Sequence, residues 1–308
     1  MIKVFNGESF SGTAVCIGNF DGVHLAHRRL IEETVSEAKK EGLKSAVYTF
    51  YPHPDEFFGK KQEKITSEAD KEGLIESLGA DIYYCQKCDE AFLSKSPEEF
   101  CKDVLKEKLG AKKVFVGYDF TFGKNGSGKA EDLCALGKRF GFDAVILPEM
   151  KIGGEAVKST AVRGYIKEGK IEKANEMLGR AHFYSGRVFR AKMLGRTIGF
   201  PTANIYPEEG LMLPPFGVYA SKVLIGEKMY PGVSNIGLNP TVEHGTKPKI
   251  ETNIMDFSGD IYGEEIKVFL YKWIRPEMKF SGVEDLMLRI KKDSDEAKKI
   301  IDKTRFVW

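Results

Sequence analysis

The stretch Gly18-Asn19-Phe20-Asp21-Gly22-Val23-His24-Leu25-Ala26-His27 limits this chain's possible folds more than any other. An apolar run, Ala14-Val15-Cys16-Ile17, precedes it and reads as a buried strand. A helical pattern follows, with Leu25, Leu30, Ile31, Val35 and Ala38 on one side. The stretch is therefore expected to be a strand-to-helix turn at the carboxyl end of a parallel strand, where open α/β sheets bind ligands. Gly18 and Gly22 allow close backbone approach, and the N–H groups of the new helix face whatever sits there. His24 and His27, three residues apart, are expected to share a helical face. A helix start carrying two imidazoles suits phosphate chemistry. A plain Gly-Asp-Gly turn followed by two surface histidines has the same spacing, so the pattern alone leaves the role open.

Strand and helix signals alternate through the first half. Lys44 to Phe50 reads as a second strand, stopped by Tyr51-Pro52-His53-Pro54. Thr66 to Leu78 reads as a helix, Asp81 to Cys85 as a third strand, and Lys113 to Gly117 as a fourth. Ser96-Pro97-Glu98-Glu99 carries a serine cap, a first-position proline and a third-position glutamate, so a helix should start there and end at Leu109-Gly110. A helix over Ala130 to Phe140 and a fifth strand over Ala144 to Leu147 complete the series. This alternation predicts an α/β doubly wound parallel sheet. Two loops at its strand ends carry chemistry. Gly117 to Gly126 is glycine-rich and aromatic, suited to clamping a flat ring. Lys158-Ser159-Thr160-Ala161-Val162-Arg163 sets two hydroxyls, a helix start and an arginine within one turn, a possible phosphate cradle.

Beyond Ile171 to Leu178 the pattern changes to short strands separated by turn residues: Gly186 to Arg190, Gly217 to Ile225, Met229 to Val233 and Ile266 to Leu270. These predict a mostly antiparallel β-barrel. A C-terminal helix follows, with Ser281 and Glu284 as its capping box and Val283, Leu286, Ile290, Ala297 and Ile301 along one face. The expected domains are residues 1–181 and 182–308. Within the second, Gly195-Arg196-Thr197-Ile198-Gly199-Phe200-Pro201-Thr202-Ala203-Asn204 is the most specific string in the chain. Thr202 and Asn204 are two apart, so in an extended segment their oxygens face the same way. Hydroxyl and amide oxygens suit a hard cation such as Mg²⁺ bridging to ATP.

Composition narrows the function class. A length of 308 residues makes two domains the expectation, and 42% apolar with 30% charged residues is ordinary for a globular protein. A net charge of +2 without a basic tract gives no reason to expect nucleic acid. No run approaches the roughly 18 apolar residues of a membrane span, and Met1-Ile2-Lys3-Val4 lacks the apolar core of a signal peptide. Cys16, Cys85, Cys88, Cys101 and Cys134 read as reduced thiols. Cys85 and Cys88 have metal-ligand spacing, but no second pair or nearby histidine completes a site. A cytoplasmic protein is expected.

Several of these motifs resemble known families. The Gly18–His27 turn is similar to the nucleotide signature of bacterial flavin adenylyltransferases, with Ala26 where that family has glycine. Tyr51-Pro52-His53-Pro54 resembles their Phe-Xaa-Pro-His-Pro. Asp119 and Phe120 match their Gly-(acid or amide)-Phe-Xaa-Phe-Gly loop, where Thr121 replaces a frequent arginine. Ser159, Thr160 and Arg163 match their Ser-Ser-Thr-Xaa-Xaa-Arg motif, with Lys158 in place of the first serine. The Gly195–Asn204 string matches the riboflavin kinase signature without a departure. Phe216 to Ala220 and Asn235 to Thr241 resemble kinase segments, Glu251-Thr252-Asn253 resembles the one whose glutamate is the general base, and Arg275 to Phe280 resembles the flavin-side loop.

Over nearly its whole length the chain resembles the bifunctional bacterial riboflavin kinase/FMN adenylyltransferase family. The resemblance implies phosphorylation of riboflavin to FMN and adenylylation of FMN to FAD, with ATP as substrate and Mg²⁺ as cofactor. It implies catalytic roles for Glu251, His24 and His27 and metal ligation by Thr202 and Asn204. Gly18, Phe20, Asp21, Gly22, Ser159, Thr160, Arg163, Gly195, Arg196, Gly199 and Pro201 would contact nucleotide. Asp119, Phe120 and Arg275 would contact flavin.

Overall fold

The computed structural model describes residues 1–5, 7–57, 59, 62–190, 201–241 and 245–304. They form two compact units, one of residues 1–63 and 68–158 and the other of residues 64–67 and 159–308.

The first unit is built on a fully parallel six-stranded sheet. Its strands run in the order Ile2–Val4, Ile82–Lys87, Lys44–Tyr51, Thr13–Ile17, Ala111–Gly117, Asp143–Leu147. All five residues of Thr13–Ile17 are buried, as expected of a strand covered on both faces. Alternate side chains feed two cores. Ala14 and Cys16 pack with Leu30, Ile31 and Val35 of the helix Leu25–Glu41. Val15 and Ile17 pack with Phe100, Leu105 and Leu133 on the opposite face.

The sequence reading found five of these strands. It missed Ile2–Val4, a three-residue edge strand too short to carry a period, which pairs with Ile82–Lys87. The capping box of Ser96 and Glu99 is present. The helix it opens continues as a wider π-helical segment, Phe100–Lys108.

The strand order reverses between Thr13–Ile17 and Ala111–Gly117. Successive strands run to one side of the first and then resume on its other side. Ligands bind open sheets in the crevice outside the carboxyl ends of the strands at such a reversal. The two strands end there in the Gly18 turn and the Gly117 loop, so topology makes neighbours of two motifs about a hundred residues apart.

In the second unit six antiparallel strands run in the order His182–Arg187, Glu265–Pro276, Gly217–Ile225, Lys228–Thr241, Gly245–Ile254, Thr202–Ile205. The sheet curls until its two ends meet, with Phe189 N donating to Asn204 O at 2.9 Å. Tyr184, Ile205, Tyr219, Ile236, Ile250 and Leu270 fill the interior. Two helices, Ser159–Lys167 and Ile171–Leu178, belong to this compact unit. Asn175 ties the second to the sheet, donating to Leu270 O at 2.9 Å and accepting from His182 N at 2.7 Å.

The C-terminal helix, Val283–Lys303, departs from its expected start. Gly282 is its N-cap and offers no side-chain bond, and the Ser281 hydroxyl instead donates to Asp285. Ser281 lies one residue before the cap, so the capping box with Glu284 cannot form. Of the expected apolar stripe, Ala297 and Ile301 are buried while Val283 stands exposed.

Candidate functional site

In the first unit the candidate site is the turn after Thr13–Ile17. Gly18 N donates to Tyr48 O at 3.2 Å, and Val23 N closes a turn on Phe20 O at 3.1 Å. Thr49 Oγ1 donates to Asn19 O at 3.3 Å. Phe20, Gly22 and Val23 all have positive φ, at 54°, 80° and 39°. A left-handed value at Val23 is costly for a β-branched residue, so the surroundings must hold it. Phe20 supplies part of that hold. Its ring is fully buried beneath the turn, and a Cβ placed on Gly18 would come within 3.2 Å of it.

His24 lies outside the helix, as its N-cap, and does not share a helical face with His27 in the simple sense expected. Its Nδ1 accepts the His27 N–H at 3.3 Å, which leaves the proton of a neutral ring on Nε2. The two imidazoles still stack, with centroids 3.6 Å apart and planes 15° from parallel. Phe20 meets His27 edge-on at 5.2 Å. Asp21 and His24 are both buried. The turn thus presents a helix start, its N–H groups and a stacked imidazole pair, an arrangement that can stabilise anionic oxygen.

The neighbouring loop turns on Phe120 N, which donates to Gly117 O at 3.1 Å. Phe120 and Phe122 stack at 5.6 Å. Asp119 is paired with Lys158, Oδ2 to Nζ at 2.9 Å, and Lys158 also lies 5.0 Å from the Tyr118 ring centre. Hydrogen bonding to Tyr118 and Asp119 raises the pKa of the Lys158 ammonium and keeps it charged. Sequence reasoning treated Lys158 only as a missing serine, and its pairing with Asp119 is a structural finding. Ser159 and Thr160 open the helix Ser159–Lys167, with Arg163 one turn on, and all three belong to the second unit.

In the second unit the site lies on the sheet face beneath the C-terminal helix. A cavity of about 280 Å³ opens there. At one end it is polar, with Thr202, Asn235, Glu251 and Asn253. Met278, Phe280, Leu286 and Ile290 make the rest largely apolar. Strand register assembles the polar end. Thr202 stands opposite Asn253, and Glu251 stands opposite Asn204 on one side and Asn235 on the other.

Three side chains on one face of Gly245–Ile254 grip the strand that carries Thr202. Glu251 Oε1 accepts from Thr202 Oγ1 at 2.9 Å. Asn253 Nδ2 donates to Pro201 O at 3.0 Å. Lys249 Nζ lies 2.9 Å from Glu251 Oε2 and 3.4 Å from Asn204 Oδ1. Gly195, Arg196 and Gly199 fall outside the described residues.

Arg275 lines the cavity, but its guanidinium is engaged by Asp293. Nε and Nη2 reach Asp293 Oδ2 at 2.9 and 2.7 Å, with the carboxylate fully buried. Arg289 also approaches Asp293 at 2.9 Å. The sequence reading missed Lys249 and Asp293, and it quoted Asn253 within the Glu251 segment without giving it a role. No motif signals Lys249 or Asp293, because the contacts to Asn204 and Arg275 that place them cross to other strands.

The oxygens at the polar end fit a hard cation. Thr202 Oγ1 and the Glu251 carboxylate meet directly, Asn204 turns its amide nitrogen toward Thr202 Oγ1 at 3.5 Å, and Asn204 Oδ1 and Glu251 Oε2 already face the positive charge of Lys249. Among the described residues no group of three or more His, Cys, Asp or Glu could hold a metal. A cation held here would therefore draw remaining ligands from water or phosphate, as Mg²⁺ commonly does.

Comparison with known proteins divides the chain in the same order. The FAD synthetase family model matches residues 7–161, and the riboflavin kinase family model matches residues 178–301. The bifunctional riboflavin kinase/FMN adenylyltransferase of Bacillus subtilis is 37% identical over 296 residues, covering 94% of this chain and 93% of that protein. The Escherichia coli protein of the same name is 37% identical over 297 residues, covering 96% and 94%. A crystal structure described as a macrolide-efflux protein from Streptococcus pneumoniae aligns with a TM-score of 0.87 at 29% identity, covering 97% of this chain and 99% of that one. Among the described residues of this chain, no helix is long and apolar enough to cross a membrane.

Proposed function

This chain belongs to the bifunctional riboflavin kinase/FMN adenylyltransferase family, and on that premise we propose that it converts riboflavin to FAD in two ATP-dependent steps in the cytoplasm. We assign adenylyl transfer to residues 1–181 and riboflavin phosphorylation to residues 182–308. The observation that carries the kinase assignment is Glu251, a carboxylate lining a cavity that also has an apolar wall, hydrogen-bonded to the hydroxyl of the Pro-Thr-Ala-Asn segment.

In the kinase step Glu251 accepts the proton of riboflavin's terminal hydroxyl as that oxygen attacks the γ-phosphorus of ATP. The apolar wall takes the flavin ring, and the Arg275–Asp293 clamp fixes one side of it. Gly195, Arg196, Gly199 and Pro201 contact the nucleotide. Thr202 and Asn204 would hold Mg²⁺, which would supply positive charge to offset that of the phosphates.

In the adenylyl step the nucleophile, the phosphate of FMN, is already an anion and needs no strong base. His24, His27 and the N–H groups of the helix start stabilise charge developing around the α-phosphorus. Phe20, Asp21, Gly18 and Gly22 shape the turn against the nucleotide, and Asp119 and Phe120 receive the flavin.

The test is a time course of the full chain with riboflavin, ATP and Mg²⁺, followed by chromatography. FMN and ADP are expected first, then FAD with pyrophosphate. FMN that accumulates without FAD would remove the adenylyl assignment, and absence of FMN would remove the kinase assignment.

A further inference from the structure

We propose that Lys249 is a catalytic residue of the riboflavin kinase site, binding the transferred phosphoryl group alongside the metal; this rests on the kinase reading above. Lys249 precedes Glu251 by two residues in Gly245–Ile254, so both side chains leave the same face of the strand. Its ammonium is 2.9 Å from Glu251 Oε2 and 3.4 Å from Asn204 Oδ1. In-line transfer puts the γ-phosphorus between the attacking hydroxyl oxygen and the β–γ bridging oxygen. On the kinase reading Glu251 takes the proton of that hydroxyl, and Asn204 would be a ligand of Mg²⁺. An ammonium within reach of both lies against the space that the γ-phosphoryl oxygens must enter.

An exposed lysine–glutamate pair would be worth little and would imply no role. This one differs in burial and in partners. The Lys249 side chain is only 18% exposed, and its donors serve an amide oxygen as well as a carboxylate. Among the described residues lining the cavity, Arg275 is the cation, and its guanidinium is engaged by buried Asp293.

Lysine presents three donors on a flexible stem. Before ATP binds, Lys249 occupies one lone pair of Glu251. When the γ-phosphate arrives, the ammonium moves onto a phosphoryl oxygen and releases the carboxylate to the substrate hydroxyl. The hydroxyl oxygen then bonds to the γ-phosphorus, and its proton passes to Glu251. The bond from that phosphorus to the β–γ bridging oxygen breaks, and its electron pair leaves with ADP. Lys249 stays protonated throughout.

The experiment uses the full chain with Lys249→Met, which keeps the stem and removes the charge, and Lys249→Arg, which keeps the charge. For Lys249→Met, kcat for FMN formation is expected to fall about 10²-fold, the scale of one lost transition-state donor. The KM for riboflavin should stay within about twofold, and FAD formation from FMN should be unchanged. Lys249→Arg should recover at least about tenfold of the lost kcat. Titration calorimetry with riboflavin present supplies a readout apart from turnover. Lys249→Met should bind Mg²⁺–ADP normally and lose about 10²-fold in affinity for Mg²⁺–ADP with aluminium fluoride, which mimics the phosphoryl group in flight. Equal losses for both ligands would overturn the proposal, because they would make Lys249 a support for Asn204 and Glu251 rather than a contact of the phosphoryl group. So would a Lys249→Met kcat within about threefold of an active parent. A parent chain that makes no FMN removes the kinase reading, and this proposal with it.

Discussion

The two candidate sites are built in opposite ways. The front site is made of consecutive residues. A left-handed turn at Phe20, Gly22 and Val23 leads into a helix start, and backbone N–H groups with a stacked pair of imidazoles supply the field. The rear site is made of side chains drawn from distant strands and from the last helix, brought together by register. The difference follows from the nucleophiles assigned to them. A phosphate needs its charge managed, and a helix start does that cheaply. A hydroxyl must lose a proton, and only a placed carboxylate does that. The comparison teaches that damage should spread differently: locally in the front, and through several strands in the rear.

Removing the base should give the largest effect. Glu251→Gln is expected to lower kcat for FMN formation by about 10³-fold, within the usual range for a general base. FAD formation from added FMN should be untouched. An equal loss in both assays would mean that the sites are not separable.

Asp293→Asn tests whether the rear wall is a connected unit. It leaves Arg275 and Arg289 beside an uncharged partner in a buried position, and a broken buried pair costs about 3–5 kcal/mol. Urea unfolding should register most of that loss. The KM for riboflavin should rise severalfold while front-site activity persists.

His24 separates structure from chemistry in the front. His24→Asn preserves an N-cap acceptor, whereas His24→Ala removes it at a cost of about 1 kcal/mol. Both should lower FAD formation about 10²-fold, taken as one lost stabilising donor. Only the alanine variant should also lose stability. Full activity in His24→Asn would reduce this histidine to a cap.

A histidine in the rear unit provides the smallest effect near neutral pH. His182 is fully buried, and neither ring nitrogen meets a hydrogen-bond partner. Burial, reinforced by the Arg180 charge, pushes its pKa down from 6.5 to about 3. Above pH 6.5 the ring is neutral folded or unfolded and costs nothing. Between 6.5 and about 3 the unfolded chain takes up a proton that the folded chain refuses. Stability should therefore fall by up to about 1.4 kcal/mol per pH unit across that window. Denaturant midpoints at pH 7.5 and 5.5 should draw closer together in His182→Phe than in the parent.

Much of the fold was legible before any coordinates. Ala130–Phe140 and Gly217–Ile225 occur with the expected bounds. Each is long enough to complete its own hydrophobic period or ends at a glycine or proline signal. The parallel sheet followed from alternation, and the front turn from its glycines and the strand before it. Less legible were features whose cause lies elsewhere in the chain. Ile2–Val4 is a strand only because Ile82–Lys87 offers it an edge. Gly245–Ile254 joins polar and apolar residues that make sense as a strand once each neighbour is known.

By itself, the order of residues determined the classes of the two domains, the helix start with its two histidines, and Thr202 and Asn204 as candidates, while Glu251 rested on the resemblance of its segment. These depend on neighbours within a few positions, where chain geometry alone sets what can meet. Tertiary structure decided the rest. It set the reversal of strand order that makes the Gly18 turn and the Gly117 loop neighbours, the capping role of His24, the Asp293 anchor behind Arg275, and the placing of Lys249 between Glu251 and Asn204. Most of those partners meet across strands or between strand and helix, and register, which no local period encodes, settles which side chains come together.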